Sequence, residues 1–318
     1  MECIIRPAEP RDSPHIMRMI RELAEYEKIT HFITLSEDVL HRDGFGETPW
    51  FRSVVAELPE AERSETGVPF AGYALFANSY SSWTGRTLHL EDLYVSPRFR
   101  GRGLGRRLMA RVAQEGLRSG CSQIHLSVLK WNTPAVSLYR SLGAQNLTEE
   151  PGYQELADFE KLSDQVKITA EELRRDGFEE PSPLFRCLVV ENSEEEEQDT
   201  SWCTAPPPSC ISCVRGRRLM GYALFFFTYS TWEGRSLYLE DLYIRPQYRG
   251  KGIGSRLFTA VTELCLSLGC ARLQLSVLDW NHSAISFYRS RGARDLTQEE
   301  GWRVFRFLPD DLRRIGSS

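Results

Sequence analysis

The sequence predicts an α/β (α+β) chain built from two copies of one domain, and three observations carry that prediction. The chain repeats itself at a constant spacing. Each copy runs from a β-rich stretch through a glycine-rich turn into an amphipathic helix. Each then returns to a strand that leads into a second helix.

Gly72 to Thr148 aligns without gaps on Gly221 to Thr297, 149 positions later, with 42 identities in 77 positions. Glu22-Leu-Ala-Glu-Tyr-Glu-Lys-Ile29 reappears as Glu155-Leu-Ala-Asp-Phe-Glu-Lys-Leu162, and Asp43-Gly44-Phe45 as Asp176-Gly177-Phe178. Two copies are too few for a solenoid, so they read as two homologous domains, residues 1–153 and 154–318. Copy one opens on a strand, Ile4-Ile5-Arg6. Ser13-Pro14 then caps a helix whose apolar face is Ile16, Met19, Ile20 and Leu23. Copy two begins abruptly near Gln154, without that strand or most of that helix. It closes on Trp302-Arg-Val-Phe-Arg-Phe307, a strand-like run that copy one lacks after Tyr153. Each half misses an end that the other keeps. Because an absent strand leaves an unpaired edge, the halves are expected to pack closely and share elements.

Residues 191–219 interrupt copy two with a carboxylate block, Glu194 to Glu197, and a proline run, Pro206 to Pro208. Neither builds a core, and a flexible insert is expected. Inside it, Cys210-Ile-Ser-Cys213 is a lone pair without a second, so no metal is expected. Apolar residues at 41% and charged residues at 26% can fill two ordinary cores. A net charge of -5 offers nothing to nucleic acid or to an anionic membrane, but tolerates small cations. No apolar run is long enough to span a bilayer, the N-terminus lacks a signal-peptide core, and the eight cysteines show no framework spacing. A cytoplasmic protein is the expectation.

The most informative stretch is Leu90-Glu-Asp-Leu-Tyr-Val95, followed by Arg100-Gly-Arg-Gly-Leu-Gly105. Copy two repeats it as Leu239-Glu-Asp-Leu-Tyr-Ile244 and Arg249-Gly-Lys-Gly-Ile-Gly254. Leu104, Leu108 and Val112, like Ile253, Leu257 and Val261, continue at helical spacing, so the turn sits at a helix N-terminus suited to phosphate. No Gly-Lys-Ser/Thr follows and the glycine spacing is not that of the dinucleotide fingerprint, which disfavours nucleotide triphosphates and NAD. Downstream, Ile124 to Leu129 reads as a strand before Trp131-Asn132, a helix reaching Tyr139, and Gly143-Ala144. The second copy has Leu273 to Leu278, Trp280-Asn281, Tyr288 and Gly292-Ala293.

With these residues in this order the chain resembles the GNAT superfamily of N-acetyltransferases, and within it the diamine acetyltransferases. The likeness covers nearly the whole chain apart from 191–219. It is closest in copy two, where Glu155 to Ile168 and Ser230-Thr-Trp-Glu-Gly-Arg235 look like the thialysine N-epsilon-acetyltransferase branch. The resemblance implies two tandem acyl-CoA N-acyltransferase domains, each a mixed, mostly antiparallel sheet with flanking helices and a splay between two strands. It also implies acetyl-CoA as co-substrate, a small cationic amine as acceptor, and an internal pseudo-dimer of the halves or a homodimer.

Residue by residue, it implies that the backbone of Leu242, Tyr243 and Ile244 holds the pantetheine arm. Arg249, Gly250, Lys251, Gly252, Ile253, Gly254 and Ser255 would cradle the pyrophosphate. Copy one offers Leu93, Tyr94 and Val95, then Arg100, Gly101, Arg102, Gly103, Leu104, Gly105 and Arg106. Tyr288 and Tyr139 match the general acid, because a phenol is still protonated at neutral pH. Glu240 and Glu91 match the position that draws the amine proton. Asp241 and Asp92 are expected to alternate to the opposite strand face as structural residues. Phe159-Glu160 and Tyr26-Glu27 match the acceptor channel, with a solvated helix face as the alternative for the two glutamates. Glu300 matches another acceptor-binding acid, and copy one has Pro151 in its place. Asn132 and Asn281 either bind the cofactor or cap a helix. Ser81 and Ser230 stand where the diamine branch carries an acid, which favours a lysine-like acceptor over spermidine. Two other readings remain open: a CoA-binding module with one or both halves inactive, and a protein lysine or N-terminal acetyltransferase.

Overall fold

In each copy, twelve- and eleven-residue strands rich in aromatic and branched side chains fold back on a turn closed by a positive-φ glycine, Gly85 or Gly234. The computed structural model describes residues 3–146, 168–191 and 219–317. The insert residues 192–218, with Cys210 and Cys213, and the channel residues Phe159 and Glu160 lie outside them.

Copy one contributes β1 (Ile4–Pro7), α1 (Ser13–Glu27), α2 (Glu37–Phe45), β2 (Arg52–Glu57), α3 (Glu60–Thr66), β3 (Phe70–Ser81) and β4 (Gly85–Val95). It continues with α4 (Leu104–Arg118), β5 (Gln123–Leu129), α5 (Thr133–Ser141) and β6 (Gln145–Asn146). Copy two contributes α6 (Ala170–Arg174), β7 (Arg186–Glu191), β8 (Leu219–Ser230), β9 (Gly234–Ile244), α7 (Ile253–Ser267) and β10 (Arg272–Leu275). It ends with α8 (His282–Arg289), α9 (Leu296–Glu299), β11 (Trp302–Phe307) and α10 (Pro309–Gly316).

The strands form two sheets, one of order β1-β2-β3-β4-β5-β11-β6 and one of order β10-β9-β8-β7. Copy one's sheet therefore takes its sixth position from the far end of the chain. Trp302 pairs with Leu129 and Phe307 with Ile124, antiparallel, and β11 also pairs with β6. Phe305 and Phe307 are wholly buried there, each contributing about 2–3 kcal/mol of apolar burial. Behind them α10 buries Leu312 and Ile315 against α4, and Gln114 Nε2 donates to Gly316 O at 2.8 Å. The sharing of elements is one-directional among the described residues, where β10 has no strand on its far side.

Parallel pairing of β4 with β5 stops at Leu90–Leu126, and that of β9 with β10 at Leu239–Leu275. In copy one β5 runs on to Leu129 without β4, which is the expected splay; in copy two β10 itself ends at Leu275, short of the strand expected to reach Leu278. The predicted apolar faces are the buried ones: Ile16, Met19, Ile20 and Leu23 on α1, and Leu104, Leu108 and Val112 on α4.

Between the copies, contacts come in reciprocal pairs. Arg86 donates to Asp176 at 2.6 Å and Arg235 to Asp43 at 2.8 Å. Tyr80 packs on Phe185 and Tyr229 on Phe51, each at 4.5 Å. Ile168 N–H donates to Trp83 O at 3.3 Å, and Leu35 N–H to Trp232 O at 3.1 Å. Such self-complementary pairing is what a two-fold relation between equal surfaces produces. Among the described residues, no helix is long and apolar enough to cross a membrane, and no group of three or more His, Cys, Asp or Glu side chains is placed to hold a metal.

Candidate active site

Each glycine-rich turn joins a strand to a helix. Gly101 and Gly103 have φ of 75° and 77°, and Gly250 and Gly252 have 73° and 74°, a region closed to most side chains. The space in front of all four is open, with no atom within 4 Å of where a Cβ would stand. Gly103 and Gly252 occupy the N-cap positions of α4 and α7 and offer no side-chain cap. The first-turn N–H groups of Leu104, Gly105 and Arg106, and of Ile253, Gly254 and Ser255, thus face an open, positive helix end. Arg100 and Arg249 tie the turns to the strands by donating through Nε to Val95 O and Ile244 O, each at 2.9 Å. Arg106 donates to Ser141 at 2.7 Å, whereas Ser255 accepts from Arg291 at 2.6 Å. The Arg102 guanidinium lies over Phe99 and the Lys251 ammonium over Tyr248.

A bulge overturns one expectation. Leu75 pairs with Asp92 but Phe76 with Leu90, so Glu91 is an extra residue; Glu240 is the extra residue in copy two. Leu88 and Leu90 pack into the same core as Leu93 and Val95. The two intervening residues, Glu91 and Asp92, leave that face together. The aspartates therefore do not alternate away from the glutamates.

In copy one the result is a buried acidic cluster beside a phenol. Asp92, 5% exposed, accepts from Tyr73 Oη at 2.5 Å. Burial, and then the Glu91 charge, push its carboxyl up to about 7, while the Tyr73 and Thr231 hydroxyls pull the other way. Burial raises Glu27 to about 8, with Asp92 and Glu91 adding to it. Tyr139 is buried, and desolvation followed by the charges of Glu27 and Asp92 holds its phenol well above the ordinary value. Its ring lies 6.2 Å from Phe305 and 6.4 Å from Phe307, both donated by β11. Glu91 lies 3.3 Å from His89 Nε2 and 3.6 Å from Arg272, a residue of copy two.

Copy two repeats the pattern more openly. Burial and then Asp241 raise Glu240 to about 8, opposed by the Ser82 N–H, which donates at 3.3 Å from copy one, and by Ser81. Burial also raises Asp241, against the hydroxyls of Ser82 and Tyr222. Tyr288 is half-buried against Phe258 and Phe287, and desolvation, with Asp241 second, pushes it up to about 12. Helix α8 has no fully buried residue, whereas α5 buries Val136 and Tyr139.

Asn132 and Asn281 cap α5 and α8, accepting from Ala135 N–H at 3.4 Å and Ala284 N–H at 3.2 Å. Asn132 also accepts from Tyr26 Oη at 3.3 Å, and the Arg100 guanidinium lies 4.8 Å over the Tyr26 ring. Ser81 and Ser230 accept from the N–H groups of Trp83 and Trp232 inside their hairpin turns. Glu300 does not join copy two's cluster. It accepts from Trp302 Nε1 at 2.8 Å, next to Gly301, whose carbonyl takes the Lys130 N–H of copy one at 3.1 Å. Glu300 also lies 3.5 Å from Arg294, so its side-chain partners both belong to copy two. Sequence reasoning did not place Arg272, Trp232, Trp302, Phe305 and Phe307 at copy one's cluster. For Trp302, Phe305 and Phe307 the signal was the last strand that copy one lacks; Arg272 and Trp232 lie outside that strand and carried none.

The acetyltransferase (GNAT) family matches residues 20–144 and again residues 171–293. The chain belongs to that family. This GNAT chain is 48% identical over 162 residues to the thialysine N-epsilon-acetyltransferase of Sus scrofa, spanning 51% of this chain and 86% of that protein. The Mus musculus thialysine N-epsilon-acetyltransferase is 50% identical over 149 residues, 47% of this chain and 88% of the relative. The Homo sapiens spermidine/spermine N(1)-acetyltransferase-like protein 1 is 37% identical over 159 residues, 50% of this chain and 20% of the relative. The GNAT chain is an acetyltransferase with two tandem GNAT domains, and each of these relatives matches about half of it.

Proposed function

We propose that the chain transfers acetyl from acetyl-CoA to a primary amine of a small cationic acceptor, a thialysine-like amino acid or a diamine, by direct attack in a ternary complex. The working site is in copy one and is completed by copy two. The observation that carries this reading is the buried Tyr139 phenol, packed on the donated Phe305 and Phe307 and subject to the charges of Glu27 and Asp92. The names of the relatives support an amine acceptor.

The residues fit the co-substrate. An open glycine turn at an uncapped helix start suits a pyrophosphate, and Leu93, Tyr94 and Val95, beyond the end of β5 pairing, have backbone groups for a pantetheine arm. Acetyl-CoA supplies an activated acyl thioester. Glu27 and Asp92, with carboxyls near neutral, attract the acceptor's ammonium and take its proton, with Glu91 adding negative potential. A strand N–H at the splay stabilises the developing oxyanion. Tyr139, still protonated far above neutral pH, gives its proton to the departing sulfur.

The same reading treats residues 1–153 and 154–318 as two domains forming an internal pseudo-dimer, supported by the reciprocal contacts. It makes copy two the weaker site, where Tyr288, Glu240 and the Arg249 turn stand without a counterpart of β11 among the described residues. Thiol release from acetyl-CoA with thialysine and spermidine tests it, on Tyr139→Phe and Tyr288→Phe separately. Tyr139→Phe should lose about 100-fold or more in kcat and Tyr288→Phe little, as expected for loss of a general acid. CoA binding without transfer to any amine would instead establish a binding module. Transfer to peptides alone would establish a protein acetyltransferase.

A further inference from the structure

The reciprocity of the seam fails at one charge. Arg272, at the start of β10, reaches Glu91 Oε1 of copy one at 3.6 Å and Glu233 at 3.2 Å, with its side chain 21% exposed. Its guanidinium lies 6.0 Å over Trp232, whose ring packs 5.6 Å from Trp302 and 6.5 Å from Phe32. The Trp232 carbonyl takes the N–H groups of Thr34 and Leu35, so this hairpin end is seated on copy one. At the matching place in the repeat, 149 positions earlier, stands the neutral Gln123. Glu240 instead accepts the Ser82 N–H at 3.3 Å, and the positive charge acting on it is that of Arg306, from β11, rather than a residue at the Gln123 position.

We infer that Arg272 is a selectivity residue for the copy-one acceptor site: it stands against a second ammonium and favours an acceptor that carries a carboxylate. The inference rests on the function proposed above. Glu27 and Asp92 provide for one ammonium. Glu91, the remaining carboxylate of the cluster, is already engaged by Arg272. A polyamine brings its further cation toward a like charge and loses that contact, whereas an amino acid presents an anion that the guanidinium attracts. Trp232 and Trp302 give the acceptor's methylene chain an apolar wall.

The test is steady-state acetylation of thialysine and spermidine by the full chain. Arg272→Gln should raise the spermidine-to-thialysine ratio of kcat/KM about tenfold, the effect of one unit charge in a partly screened site. The change should lie in KM, and Arg272→Lys should keep the wild-type ratio within about twofold. An unchanged ratio in Arg272→Gln, or an equal fall for both acceptors with a lowered Tm, overturns the inference. Spermidine binding by calorimetry, with CoA present, reads the same effect without turnover: about tenfold tighter for Arg272→Gln, and refuted if equal. Absence of all transfer in the wild type would count against the proposed function; the binding comparison would still decide the role of Arg272.

Discussion

Single side chains here are set by what desolvates them. Glu27 has an ordinary carboxyl value of 4.5 and is raised to about 8, first by burial and then by Asp92 and Glu91. Between those two pH values the folded chain keeps a proton that the unfolded chain has released. This carboxylate therefore costs progressively more stability as pH rises through that window. Glu27→Gln removes the cost. Its Tm relative to wild type should be higher at pH 8.5 than at pH 5.5, read by thermal melts at both values; a difference independent of pH would show that Glu27 titrates normally. Acetyl transfer should fall in the same variant, because the group that fills with a proton at neutral pH is the one offered to the amine.

At the scale of elements, the two features that shape the site are a bulge and a donated strand. One extra residue in β4 turns Glu91 and Asp92 out of the core together, which strict alternation forbids. The motif's residues were legible from the sequence, but the bulge was not, because it appears only once β3 sets the register. Strand β11 closes copy one with Phe305, which is fully buried and adjoins Tyr139. Phe305→Ala should cost about 3–5 kcal/mol in urea unfolding through the cavity left behind, and should lower kcat through Tyr139. A loss confined to the activity of copy two would contradict this placement.

For the whole molecule, the two halves form one folding problem. Copy one's sheet has a gap between β5 and β6 that only residues 302–307 fill. The buried Asp43 and Asp176 each pair with an arginine of the opposite copy in addition to their own neighbours Arg42 and Arg175, and a buried carboxylate that loses one of its cations is costly. A fragment of residues 1–153 should therefore aggregate or stay unfolded when expressed alone, and should become soluble when co-expressed with 154–318. Circular dichroism and a denaturant titration check this; a cooperative transition for the isolated fragment would mean that β11 is dispensable.

The sequence by itself determined the duplication, the helix faces, the glycine turns and the family, because each is written in local spacing or in repeated, ordered motifs. It also showed that one copy lacked a last strand and the other a first. Tertiary structure alone decided which copy receives that strand, that a bulge turns Glu91 and Asp92 to one face, and that Arg272 faces Glu91. The first and last of these depend on pairing between residues more than a hundred positions apart, where the energy comes from burying one half's edge with the other half's side chains.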